Sequence, residues 1–164
     1  MNRITSFPPI VDENSRILIL GSMPGAKSLQ MQQYYAFPQN QFWKIMFQLF
    51  EAEFSEDYKT RLHLIKKNNV ALWDVIESCE RKGSLDTEIK DEIDHDIPGL
   101  MASHPNIQTI FCNGQKAHKN LLKILGKDFN IPIVVLPSTS PLHTVKFDEK
   151  LERWKVIRAD LSGT

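Results

Sequence analysis

The residues of this 164-residue chain that are best suited to chemistry lie in an aromatic segment that leads to an amide. Tyr34, Tyr35 and Phe37 come shortly before Asn40. An aromatic ring can stack on an unstacked nucleobase, which contributes about 1 to 3 kcal/mol, and an asparagine side chain offers donor and acceptor groups to the edge of a base. From these residues alone a structural role is the favoured interpretation, because aromatic rings before a helix often pack into the core and Asn40 suits a helix N-cap.

A second candidate is a turn that directly follows the apolar run at residues 16–20. Its sequence is Gly21, Ser22, Met23, Pro24 and Gly25. Two glycines and a proline suit a tight turn with exposed backbone N–H groups, which can approach a phosphate or a sugar or can simply connect a strand to a helix. The chain has neither the G-x-G-x-x-G pattern nor a P-loop, so we expect no dinucleotide or nucleoside triphosphate cofactor, and no cofactor at all.

The third candidate is a hydroxyl-rich loop whose backbone is restricted by two prolines. It consists of Pro137, Ser138, Thr139, Ser140, Pro141, Leu142 and His143. Its hydroxyl and N–H groups can bind DNA phosphates, Leu142 can insert into a base stack, and His143 can donate a proton or a hydrogen bond. The alternative is a turn that carries a surface histidine.

Two further polar residues follow predicted strands. Asp74 comes after Trp73, and Asn113 comes after Cys112. Both side chains can face a pocket, but Asp74 also suits a helix cap, and Asn113 suits a turn before Gly114.

The pattern of apolar residues predicts the elements that position these candidates. We predict strands at residues 16–20, 70–73, 107–112 and 131–136, and helices at residues 42–50, 56–67, 115–125 and 148–161. The alternation favours a three-layer α/β/α fold with a central, mainly parallel four-stranded sheet, in one domain spanning residues 1–164. In such sheets ligands bind beyond the carboxyl ends of the strands, where the candidate loops lie. Residues 77–97 are charged, and we interpret them as an irregular surface excursion.

Composition limits the classes of protein that the chain can represent. Lysine and arginine number 20 and acidic residues also 20, which counts against a large non-specific DNA footprint but allows a local basic rim. Such a rim is available from Lys27, Lys116, Lys119 and Lys146. Two cysteines cannot alone form a structural metal site, so we expect no metal. With no apolar leader or membrane span, we expect a soluble, cytoplasmic monomer.

Four segments together resemble motifs of the uracil-DNA glycosylase superfamily, most closely its mismatch-specific uracil/thymine branch and the deoxyinosine (hypoxanthine) DNA glycosylases. The family patterns are Gly-Ile-Asn-Pro-Gly, Pro-x-Asn-x-Phe-Trp-Lys, Phe-x-Gly-Lys and Pro-Ser-Ser-Ser. They are similar to residues 21–25, 38–44, 111–116 (with one residue inserted) and 137–140. The resemblance spans most of the chain and implies an enzyme that acts on DNA containing a deaminated base.

Met23 departs from the family pattern, which has an asparagine or aspartate there to position the attacking water. A thioether cannot polarise water. The deoxyinosine branch is similar in lacking that residue, and the sequence Leu-Trp-Asp-Val-Ile at residues 72–76 also resembles it. The resemblance therefore implies hypoxanthine as the base removed, Asn40 as the catalytic amide, and Tyr35 as the ring that stacks on the flipped base.

The resemblance and the residue chemistry together define a candidate site. We predict Asn40 and His143 as catalytic residues. The predicted base pocket contains Gly21, Ser22, Met23, Tyr35, Phe37, Asp74 and Asn113. The predicted DNA-binding residues are Pro137, Ser138, Thr139, Ser140, Leu142 and Lys146.

Three alternatives stay open at this point. One is a glycosylase specific for uracil or for mismatches. Another is a serine hydrolase that uses Ser138 or Ser140 with His143, although the chain lacks the G-x-S-x-G elbow. The last is a non-catalytic module that binds nucleotides or nucleic acid in the same crevice.

Overall fold

Four short apolar runs form a parallel sheet in the computed structural model, which describes residues 3–126 and 129–162. The predicted domain of residues 1–164 also includes residues 1–2, 127–128 and 163–164, which lie outside the described residues. The strands are β1 (Arg3–Thr5), β2 (Ile17–Gly21), β3 (Val70–Asp74), β4 (Ile76–Glu80), β5 (Lys90–Asp94), β6 (Thr109–Asn113) and β7 (Ile133–Leu136). The parallel sheet has the order β3-β2-β6-β7.

Helices cover both faces of this sheet. They are α1 (Ala26–Met31), α2 (Phe42–Leu49), α3 (Tyr58–Lys67), α4 (Ile97–Ser103), α5 (Gln115–Leu125), α6 (Phe147–Trp154) and α7 (Val156–Ser162). Side chains of α2, α3, α6 and α7 share one apolar core, and those of α4 and α5 share the other. The predicted three-layer fold is confirmed, except that the predicted C-terminal helix is two helices separated at Lys155.

The sequence of β2 explains why the sheet has a core on each side. Ile17 and Ile19 belong to the core that contains α2, whereas Leu18 and Leu20 belong to the core that contains α5. All four side chains are fully buried. A strand that is apolar at every position is typical of a parallel sheet covered on both faces.

The interpretation of residues 77–97 as an irregular excursion is wrong. Strands β4 and β5 lie in this region and pair with β1 in a three-stranded antiparallel sheet, and a short 3-10 turn, Asp86–Glu88, lies between them. Cys79 and Arg81 are buried. The charged side chains hid the strands because β5 is mostly exposed, so it lacks the apolar pattern by which a buried strand is found.

The order of the strands places a crevice beside β2. The chain passes from β2 to β3 at one edge of the sheet and then returns across β2 to β6. This reversal is the topological switch point at which open α/β sheets bind ligands. The register sets Gly21 beside Asp74, and the neighbouring strand β6 ends at Asn113, so three candidate residues lie at this edge.

Candidate active site

A cavity of about 630 Å³ opens at the carboxyl ends of the parallel strands. It is lined by most of the residues that the sequence predicted for the site. These are Gly21, Ser22, Met23, Tyr35, Phe37, Asn40, Asp74, Asn113, Ser138, Thr139, Ser140, Leu142 and His143. Residues from five separate segments of the chain therefore converge on one space, which is large enough for a nucleobase with its sugar.

The floor of the cavity is formed by Gly21 and Asp74. A Cβ atom on residue 21 would lie 2.5 Å from the Oδ1 atom of Asp74 and 3.0 Å from the hydroxyl of Tyr35, so only glycine fits there. The Asp74 carboxyl group is buried, and its Oδ2 atom has no hydrogen-bond partner among the described residues. Asp74 ends a strand and does not cap a helix, so the interpretation that places it in the pocket fits the structure.

Burial also changes the protonation of Asp74. It raises the pKa of this carboxyl group to about 7, with a smaller contribution from the negative charge of Asp86, while the charge of Arg81 acts in the opposite direction. Because the desolvated carboxylate is unfavourable, the neutral acid is the favoured form below that pH. The floor of the cavity therefore carries a carboxyl group that can donate a hydrogen bond.

Tyr35 lies between the cavity and the aromatic core. Its ring stacks on Phe42, with the ring centroids 4.0 Å apart and the planes inclined by 19°. Its backbone has a φ of 54°, in the left-handed region that non-glycine residues rarely adopt. The unusual backbone and the stacking fix the ring at the cavity wall, with one face covered by Phe42.

Asn40 lies just before α2, whose N-cap is Gln41. The Oδ1 atom of Asn40 nevertheless accepts a hydrogen bond of 3.0 Å from the backbone N–H of Phe42, so the side chain does part of the capping that the sequence suggested. This bond determines the orientation of the amide. Its NH₂ group, which has no partner among the described residues, remains able to donate to a ligand in the cavity.

Asn113 connects β6 to the loop of residues 137–143. Its Nδ2 atom donates to the Oγ1 atom of Thr139 at 3.0 Å and to the hydroxyl of Tyr35 at 3.2 Å. Its Oδ1 atom accepts from the backbone N–H of Thr139 at 3.0 Å. Asn113 thus lines the cavity, as predicted, but its amide is used to hold other parts of the site in place and not left for a base.

We expect Asn113→Ala to lower the free energy of unfolding by about 2 kcal/mol, since it breaks three hydrogen bonds and leaves the buried Thr139 without its partner. Urea denaturation measures this change. Asn106→Ala is the matched control, because Asn106 is exposed and makes one side-chain hydrogen bond, to the carbonyl of Glu13. Equal effects of the two substitutions would contradict the structural role of Asn113.

The loop of residues 137–143 is shaped by its own hydroxyl groups. The Oγ atom of Ser138 accepts from the N–H of Ser140, and the Oγ atom of Ser140 accepts from the N–H of Leu142. In the part of the chain that the structure describes, neither hydroxyl is hydrogen-bonded to His143. The pairing of nucleophile and base that a serine hydrolase requires is therefore not formed in this loop.

Of the six predicted DNA-binding residues, Leu142 alone lies in the exposed part of the loop, residues 141–143. Ser138 and Ser140 are half-buried and line the cavity. Thr139 is buried and its carbonyl accepts from the N–H of Gln41, which ties the loop to the start of α2. Pro137 accepts a hydrogen bond from the indole of Trp154 and lies outside the cavity lining. Lys146 is an exposed residue at the start of α6, also outside the lining.

The connection between β4 and β5, residues 81–89, forms a wall of the cavity that the sequence did not reveal. Asp86 accepts a hydrogen bond of 2.7 Å from the hydroxyl of Ser22, and Ser84 accepts one of 2.8 Å from the N–H of Ala26. Arg81 donates to the carbonyl of Pro24 at 2.6 Å. Each of these hydrogen bonds joins residues that are more than 50 positions apart, so it leaves no local pattern in the sequence. The wall can therefore be seen only in the structure.

Large apolar side chains are exposed at the mouth of the cavity, next to polar ones. Phe37, Leu85 and Leu142 all line it and are exposed by 46%, 45% and 66%. Of the four lysines expected at a basic rim, Lys27 lines the cavity, whereas Lys116 forms an ion pair with Glu92. Exposed apolar side chains around a cavity mark a surface that contacts a ligand, and here they outnumber the lysines.

No helix among residues 3–126 and 129–162 is long and apolar enough to cross a bilayer. Over the same residues, no group of three or more histidine, cysteine, aspartate or glutamate side chains is arranged to hold a metal ion.

Comparison with known proteins identifies the family. The model of the uracil DNA glycosylase superfamily matches residues 8–162. The chain therefore belongs to this superfamily, as its four motifs indicated.

The chain is also similar to individual members of the family. It is 38% identical over 128 residues to a hypoxanthine DNA glycosylase of Methanosarcina barkeri, which covers 76% of this chain and 81% of the relative. It is 35% identical over 154 residues to a hypoxanthine DNA glycosylase of Methanosarcina acetivorans, which covers 92% of this chain and 95% of the relative. A solution NMR structure of a candidate uracil DNA glycosylase from Methanosarcina acetivorans superimposes with a TM-score of 0.81 at 33% identity, covering 98% of this chain and 99% of that one.

Proposed function

We propose that this protein is a DNA glycosylase that takes a flipped, deaminated base into the cavity and hydrolyses its N-glycosidic bond, with hypoxanthine as the preferred base. The observation that carries this proposal is the convergence of the Asn40 amide with its unpaired NH₂ group, the fixed Tyr35 ring and the exposed Leu142 on one cavity of the described residues. The two relatives named hypoxanthine DNA glycosylase support the choice of base.

The base must leave the duplex before it can react. Flipping costs a few kcal/mol, and less for a mismatched base, because stacking and pairing are lost. Leu142 is the most exposed of the large apolar side chains at the mouth, so it is placed to fill the gap in the stack.

Asn40 selects the deaminated base. Hypoxanthine and uracil carry a carbonyl group where adenine and cytosine carry an amino group. Because the Oδ1 atom of Asn40 is engaged by Phe42, the group that points to the ligand is the NH₂ donor. A donor matches a carbonyl group but leaves an amino group without a partner, and an unpaired buried polar group costs about 1 to 3 kcal/mol.

The same groups assist bond cleavage. When the bond between base and sugar breaks, negative charge develops on the base and positive charge on the sugar. Fixed donors at the base therefore stabilise the transition state more than the ground state. Asn40, the neutral carboxyl group of Asp74 and His143 are the donors that line the cavity for this purpose. The Met23 thioether is buried and polarises no water, so the role of these donors is to stabilise the departing base.

The experiment that tests this proposal offers the protein a set of oligonucleotides. Single-stranded and duplex substrates carry deoxyinosine, deoxyuridine, deoxyxanthosine or a G:T mismatch, and alkali then reveals abasic sites as strand breaks. We expect breaks at deoxyinosine. Breaks only at deoxyuridine would identify a uracil glycosylase, the alternative that the name given to the similar solution structure favours. The absence of breaks on every substrate would exclude a glycosylase.

We expect Leu142→Ala to lower excision from duplex DNA about tenfold, because it removes an apolar side chain worth about 1.5 kcal/mol when buried in the base stack. Excision from single-stranded DNA should change little, since no stack has to be filled. Single-turnover assays on both substrates measure the difference. Leu122→Ala, at a similarly exposed leucine on α5, is the matched control. Equal losses on both substrates would show that Leu142 does not act as a wedge.

A further inference from the structure

A buried lysine lies behind the loop of residues 137–143. Lys150, on α6, is 1% exposed and is among the largest fully buried side chains of the described residues. Its Nζ atom donates to the carbonyl of Ser140 at 3.1 Å. Within residues 3–126 and 129–162, no carboxylate lies within 4.0 Å of this ammonium group. Lys150 is thus a buried lysine without an ion-pair partner in the part of the chain that the structure describes.

Such an arrangement is unfavourable for the fold alone. A buried charge without a counter-charge destabilises a protein, and an apolar side chain of similar volume is often neutral or stabilising at such a position. Lys150 lies among apolar neighbours on its own helix, where Leu151 and Trp154 pack into the core. A methionine would satisfy that environment, so packing does not explain why the residue is a lysine.

The position of the charge suggests a role in the site. The carbonyl of Ser140 that accepts from Lys150 also accepts from the backbone N–H of His143 at 3.1 Å. Lys150 therefore holds the turn that presents Leu142 and His143 at the cavity mouth. Residues 141–143 of this turn are exposed, so an anion that binds there meets the field of a positive charge whose side chain is almost completely removed from solvent.

We propose that Lys150 is a positioning residue whose buried charge is balanced when a DNA backbone phosphate binds to the turn of residues 140–143. This inference rests on the proposed glycosylase function. The ammonium group does not touch the phosphate. It fixes the turn through the Ser140 carbonyl and attracts the phosphate through the loop, so the missing counter-charge is supplied by the substrate.

The test compares Lys150→Met with the wild type in single-turnover excision from a deoxyinosine duplex. We expect the protein concentration for half-saturation to rise about tenfold, the maximal rate to stay within about threefold, and the midpoint of urea unfolding to stay equal or increase. The half-saturation concentration of the variant, divided by that of the wild type, should fall as sodium chloride is raised from about 50 to 300 mM. Salt weakens the charge interaction that only the wild type has. A packing role would give a ratio that is independent of salt.

Two further variants keep the test decisive. Lys150→Gln removes the charge but keeps a polar donor, and it should show the same salt-dependent loss, so the test survives if the methionine variant is unstable. Lys155→Met removes an exposed lysine at the end of the same helix and should leave half-saturation unchanged. An unaltered half-saturation concentration in either Lys150 variant would overturn the role of Lys150. If the wild type excised no base from any substrate, the proposed function itself would be overturned.

Discussion

Replacing Asn40 by alanine should slow single-turnover excision of hypoxanthine by about 100- to 1000-fold, which is the usual effect of removing one preorganised donor from an active site. The variant loses the NH₂ group that faces the cavity. It also loses the acceptor for the N–H of Phe42, which should cost about 1 kcal/mol of stability, too little to unfold the protein.

Two further variants separate the chemical role of Asn40 from its capping role. Asn40→Asp keeps an oxygen for the N–H of Phe42 but replaces the donor by an anion, so it should be as stable as the wild type and as inactive as Asn40→Ala. Gln39→Ala removes an exposed neighbouring amide that does not line the cavity and should leave excision unchanged. If the aspartate variant kept full activity, Asn40 would have no catalytic role.

The parts of the fold that the sequence predicted are those with a local signal. The run at residues 16–20 is apolar at every position after Arg16, which predicts a strand buried on both faces, and β2 has this burial. The helix predicted at residues 115–125 has the same bounds as α5. In contrast, β5 is largely exposed and charged, so its pairing with β4 could be seen only in the structure.

The same distinction applies to the site. The residues that line the cavity could be predicted because they follow strands, and the carboxyl ends of parallel strands meet at one edge. The contacts of each side chain could not be predicted, since they join distant parts of the chain. The amide of Asn113 is bound to Thr139 and Tyr35, whereas that of Asn40 is half free. The resemblance to the family singled out Asn40, whereas residue type and spacing alone do not distinguish the amide that holds the site together from the one proposed for catalysis.

Charged residues in the wall formed by residues 81–89 influence the pKa of Asp74 at the cavity floor. Asp86 reaches the first loop through Ser22, and its charge adds to burial in raising the pKa of Asp74. Arg81, held by the carbonyl of Pro24, opposes the shift. A segment that the sequence suggested lies at the surface therefore adjusts the protonation of the carboxyl group at the cavity floor.

Asp74 should make the stability of the protein depend on pH. Its pKa is about 7 in the folded protein and 3.8 in an unperturbed chain, so between these values the folded state holds a proton that the unfolded state has lost. The contribution of Asp74 to the free energy of unfolding is fully present below about pH 4 and is lost as the pH rises through 7. The total loss is on the order of 4 kcal/mol. Asp74→Asn, which cannot ionise, should be more stable than the wild type at pH about 8.5 and lose most of this advantage at pH about 5.

Urea denaturation of the two proteins at both pH values measures the effect. Asn106→Ala, at an exposed residue that carries no ionisable group, serves as the control and should give the same difference from the wild type at each pH. A difference between wild type and Asp74→Asn that did not change with pH would show that Asp74 is ionised throughout.

The titration of Asp74 should also reach the reaction, because the carboxyl group lines the cavity. Only the neutral acid can donate a hydrogen bond to the departing base, so excision by the wild type should decline as the pH rises past about 7. The Asp74→Asn variant keeps an amide donor at every pH, so it should lose this decline. The carboxylate that is unfavourable above neutral pH therefore lies at the position where, as we propose, the protonated form assists the reaction.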